Sequence, residues 1–163
     1  MKQQKKGFTI VELLIYMAIL SIMLITLTDI FSSIVGVRLE SESSSAVEQD
    51  GSFILSRLYY DISRAQSVSL PANMGDSSAT LDIVINGIDY IYTINNGNLE
   101  LTNTNGTDVL NSINTTISNF TVQKIGNAGG TYTIRFSYTV TGKTVPHSGP
   151  RIKTYQSTAG LRL

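Results

Sequence analysis

One carboxylate stands where carboxylates are costly. Glu12 lies near the start of an apolar run, and no other charge occurs between it and Asp29. Three lysines, Lys2, Lys5 and Lys6, precede the run, which opens at a Gly7–Phe8 junction. From Phe8 to Thr28 a helix would be about 31 Å long at 1.5 Å per residue, close to the thickness of a bilayer core. A charge in such a segment is expensive and calls for a named partner. The other residues with chemical potential are scattered. His147, the only histidine, falls in Val145-Pro-His-Ser-Gly-Pro150, where an exposed loop is the simplest account. No H-E-x-x-H, Walker loop or zinc spacing accompanies it, and no catalytic residue is assigned. Asp76 and Asp108 sit in Asn/Ser/Gly-rich loops and are the candidates for a calcium site. Their spacing is not that of an EF-hand, and turn formation is the plainer role. Tyr59, Tyr60, Tyr90 and Tyr92 read as rim of a core.

Three readings compete for the N-terminal run. A secretory signal peptide places small residues and a cleavage site after the apolar stretch, whereas this one ends in Thr26-Leu-Thr-Asp29 without an A-x-A pattern. A plain signal anchor needs neither Glu12 nor the Gly–Phe junction. In either of those cases Glu12 is an acid that snorkels to the cytoplasmic interface. The third reading is a resemblance. Lys5-Lys-Gly-Phe-Thr-Ile-Val-Glu12 followed by an apolar helix resembles the class III signal of type IV prepilins and type II secretion pseudopilins.

That resemblance implies cleavage between Gly7 and Phe8 by a membrane prepilin peptidase, and methylation of the new Phe8 amine. It implies that Glu12 neutralises the amine of a neighbouring subunit during filament assembly. An ion pair in a medium of low dielectric is worth more than in water, and an unpaired acid there is penalised. Major subunits of the family carry a proline at the position that is Asp29 here, and no proline occurs before Pro71. The segment 48–68 is similar to the equivalent stretch of minor pilins and J-type pseudopilins. Both features place the chain among minor components.

The elements that must carry these residues follow from periodicity. Residues 30–66 hold no proline, and Ile54, Leu55, Leu58, Ile62 and Ala65 step by three or four, as one helix stripe does. Residues 38–50 are polar nearly all round. The pattern predicts one helix over roughly 8–66, weakest between 36 and 51, where Gly36, Gly51 and Ser43-Ser-Ser45 lower helix propensity. Within it Arg57, Asp61 and Arg64 are expected to form surface pairs. Beyond residue 66 the period becomes two. Thr80–Asn86, Ile88–Ile94, Asn98–Thr102, Ile117–Ile125, Tyr132–Val140 and a stretch within Ile152–Leu163 read as five or six antiparallel strands. Asn86-Gly87 and Asn95-Asn-Gly97 supply turns, as does Asn127–Gly130, while 71–79 and 103–116 read as loops. The fold class is α+β: a long N-terminal helix, its first half membrane-spanning, packed on an antiparallel sheet in the manner of a type IV pilin. The expected division is a leader at 1–7, a transmembrane and assembly helix at 8–35, an amphipathic continuation at 36–66 and an extracytoplasmic head at 67–163.

Charge and composition bound the rest. Without the three leader lysines the chain carries 9 basic against 12 acidic side chains, a net −3, which provides no footprint for nucleic acid. The basic leader places the N-terminus in the cytoplasm, with the remainder outside and later in a surface filament. Cysteine is absent, so the head must hold by packing alone. The function expected is that of a structural minor subunit of a pilus, type II secretion or competence filament, and not an enzyme. Its partners are other pilins, the peptidase, the inner-membrane assembly platform and lipid. The alternative is a filament-tip or membrane-anchored module that binds a surface ligand or DNA. No cofactor is expected beyond the calcium candidates.

Overall fold

The computed structural model describes residues 7–126 and 132–161. The leader lysines, the turn expected at 127–130 and the last two residues of the closing strand lie outside them. The chain forms two compact units, Met1–Arg38 and Leu39–Leu163, with one helix, α1 (Ile10–Ser63), running through both.

In the first unit α1 exposes its large apolar side chains throughout, from Ile10 at 80% to Val37 at 66%. The stretch is apolar and long enough to cross a membrane, and none of its most apolar window is buried by protein. Its hydroxyls are satisfied internally. Ser21, Thr26 and Thr28 donate to the carbonyls of Met17, Ile22 and Leu24, one turn back, at 2.8, 3.2 and 2.8 Å. Such back-bonding lets a polar side chain sit in an apolar segment without an orphaned donor.

In the second unit, nine strands among the described residues form two antiparallel sheets. One has the order β1 (Ser67–Leu70), β3 (Leu81–Ile85), β4 (Ile88–Asn95), β5 (Asn98–Asn103), β6 (Gly106–Val109). The other has the order β2 (Ser77–Ser78), β7 (Thr115–Gly126), β8 (Tyr132–Gly142), β9 (Ile152–Gly160). Alternation aims Leu81, Ile83 and Ile85 inward from β3, and Ile134, Phe136, Tyr138 and Val140 from β8. They meet Val47, Ile54, Leu58 and Ile62 of α1 in one core. The α+β class expected from the two periodicities is the class observed.

Two details differ from expectation. First, the segments read as loops hold strands β2 and β6, and β1 follows the helix directly. All three are short and mostly exposed, so no apolar alternation marks them. Second, the strands divide between two sheets rather than forming one. As expected, α1 is one helix through 36–51, and within that stretch Ser43, Val47 and Gly51 are buried. Gly51 is required by contact, since a Cβ would enter the Tyr155 ring. The Asn86-Gly87 turn has φ of 52° and 77°, positive at both residues as a type I′ hairpin demands.

Candidate assembly site at the helix entry

Glu12 lies in the first turn of α1, three residues after Thr9. Its Oε2 accepts hydrogen bonds from the Thr9 amide at 3.0 Å and the Thr9 hydroxyl at 2.9 Å. The Glu12 amide in turn approaches the Thr9 hydroxyl oxygen at 3.3 Å. This is a reciprocal capping box. Two backbone N–H groups that the helix start would leave unpaired find partners, and the carboxylate sits at the positive end of the helix dipole. Only Oε2 is used, so Oε1 takes no hydrogen bond among the described residues. Beside it, the Phe8 ring meets the Tyr16 ring at 5.6 Å between centroids. The Thr9-x-x-Glu12 signature was legible in the sequence, yet Thr9 was not singled out there. The residues at the proposed cut, Gly7 and Phe8, precede the helix, and a side chain at Gly7 would meet nothing within 4 Å.

A second set of polar groups fastens the head to α1. Asp61 is fully buried, which corrects the expectation of surface pairs. Its carboxylate accepts from Arg57 Nε at 2.7 Å, from Arg64 at 2.9 Å and from the Tyr92 hydroxyl on β4. Tyr92 is not rim but core, with no exposed surface. Burial holds its phenol well above the usual tyrosine range, so it remains a donor. Asp50 takes the Ser112 amide and hydroxyl at 2.9 and 2.7 Å, together with the Thr115 hydroxyl. The Tyr138 hydroxyl, its pKa likewise raised by burial, donates to the Gly51 carbonyl at 2.7 Å. Glu48 and Lys153 pair at 2.6 Å, and that bond lowers the pKa of the carboxyl.

The other sequence candidates do not converge. His147 is exposed between β8 and β9. Asp76 accepts from the amide and side chain of Asn73 at 3.3 and 2.9 Å, which is turn chemistry. Asp108 is exposed on β6, a different element. Among the described residues no three His, Cys, Asp or Glu side chains gather as metal ligands would. Tyr59 and Tyr60 are half exposed on α1, and Tyr90 is partly buried against the core.

Residues 2–28 match the family model for the prokaryotic N-terminal methylation motif. The opening of the chain is therefore similar to a class III prepilin signal, and the match bears on that opening alone. No curated protein and no solved structure matches the chain.

Proposed function

We propose that this chain is a minor filament subunit, processed between Gly7 and Phe8 and assembled through the first half of α1. It waits in the cytoplasmic membrane with its N-terminus in the cytoplasm, and its head joins an extracytoplasmic filament. The observation that carries the reading is Glu12 within the matched motif, at the start of a fully exposed apolar helix. The motif supports processing. The exposed helix supports storage in lipid followed by packing against other helices.

The capping box adds a physical part to this reading. Both Thr9 donors lie after the proposed cut, so cleavage leaves them in place. Glu12 then enters the membrane already held by its own helix, which lowers the cost of its charge there. Its remaining oxygen is left to accept from a cation, and the amine released at Phe8 of a neighbouring subunit has the right charge. Only a correctly stepped neighbour delivers that amine, so Glu12 reports register. Asp29, in place of the proline of major subunits, supports a minor role, which a short run of copies also satisfies.

Gly7→Ala and Glu12→Ala separate the two steps. Gly7→Ala is expected to leave the precursor uncut in the membrane. Glu12→Ala is expected to be cut normally and to stay out of sheared filaments. Normal cutting of Gly7→Ala, or normal incorporation of Glu12→Ala, would sink the assignment.

A further inference from the structure

We propose that the free edge of β9 pairs with the β6 edge of a second copy, so that heads join head to tail through complementary charge. The inference rests on the filament reading and names a contact within it. Charge along the chain is divided sharply. Residues 8–108 hold all twelve acids and three arginines, whereas residues 109–163 hold six basic side chains and no acid. Such an asymmetry between parts of a chain points to an electrostatic partner. The division follows the sheets: β7, β8 and β9 carry the acid-free part, and the sheet of β1, β3, β4, β5 and β6 has no lysine or arginine.

Each sheet ends in an open edge. β9 is nine residues long, mostly exposed, and pairs with β8 through nine positions without a bulge. No strand among the described residues covers its other side. A long, regular edge of this kind offers unpaired N–H and C=O groups to another chain. Arg151, just before β9, and Lys143 across the same loop are exposed, and neither makes an ion pair among the described residues. β6 is the matching edge: four residues, all exposed, including the carboxylate of Asp108. A basic edge and an acidic edge on one molecule make a heterologous contact, which links successive copies in a short run instead of closing into a pair. Two to three main-chain hydrogen bonds and one or two ion pairs are weak in free solution. Heads tethered by assembled helices meet at about millimolar effective concentration, where weak contacts suffice.

The chain has no cysteine, so introduced thiols report the contact cleanly. Full-length protein carrying Thr107→Cys together with Thr154→Cys or Gln156→Cys, in cells that assemble it, is oxidised mildly and run without reductant. A ladder of dimers, trimers and longer species is expected, and it should be absent from each single-cysteine chain. Arg151→Glu or Asp108→Lys added to the double-cysteine chain should cut the ladder by roughly twofold to fivefold, as like charges across a strand pair do. The two reversals together should restore it. A dimer from Thr154→Cys alone would mean that β9 pairs with β9 and would overturn the proposal. So would the absence of a ladder in chains that are cut at Phe8 and incorporated, and in that case the filament reading stands. Failure of the unmodified chain to be cut would overturn both.

Discussion

At the residue scale, the chemistry of this protein lies in where single carboxylates are placed. Glu12, Asp50 and Asp61 each accept hydrogen bonds that hold a structure, whereas Asp82 is in the wrong company. Asp82 on β3 is partly desolvated and stands diagonally across from Asp89 on β4, and one of its oxygens is buried with no hydrogen-bond partner among the described residues. Burial first, and the Asp89 charge second, raise its pKa above the ordinary carboxylate value. A raised folded-state pKa means that the folded state binds the proton more tightly. The stability contributed by the protonated form is therefore present below the unfolded pKa and is lost as pH rises through the folded pKa. Asp82→Asn is expected to raise the melting temperature at neutral pH by the equivalent of roughly 0.2–1 kcal/mol, with the gain vanishing at acid pH. Thermal melts of the two chains across that range would show it; a gain that persisted in acid would contradict the assignment. Tyr92→Phe removes the buried donor to Asp61 and should cost about 1.5–3 kcal/mol in denaturant unfolding, as loss of a hydrogen bond to a charged group does.

At the element scale, α1 does two different things along its length. Its first half exposes its apolar side chains, and its second half packs in the core of the head. Gly51 marks the second role. Gly51→Ala gains helix propensity of about 1 kcal/mol, yet drives a methyl group into Tyr155. Overpacking of this kind costs about 1–3 kcal/mol, so the variant should melt at lower temperature, and shrinking the ring with Tyr155→Leu should recover part of the loss. An increase in stability on Gly51→Ala would contradict the close approach. From sequence, Gly51 and the serines at 43–45 lower helix propensity, and the ring packed over Gly51 is not visible there. Helix and buried strands were legible where apolar residues kept a period, as in Ile54 to Ala65 and Tyr132 to Val140. Strands β1, β2 and β6 were not, since exposed edge strands need no apolar face. Asp61 was read as a surface pair because its i−4 and i+3 arginines are visible in sequence, while Tyr92, 31 residues on, is not.

At the scale of the whole molecule, a helix whose most apolar window is unburied continues into a head that has no cysteine. The first is apolar and long enough to cross a membrane, and the second holds by packing alone. The opening motif was legible in sequence, since Gly7, Phe8 and Glu12 lie within six residues. The Thr9-x-x-Glu12 capping signature was equally legible there and was passed over, and the first helical turn shows Thr9 holding Glu12. The central claim, that this opening is a processed assembly signal, is tested most directly at the mature N-terminus. Mass spectrometry of the protein recovered from the cell surface should find a chain that begins at Phe8 and carries one methyl group on its amine. A surface chain still beginning at Met1 would contradict the account.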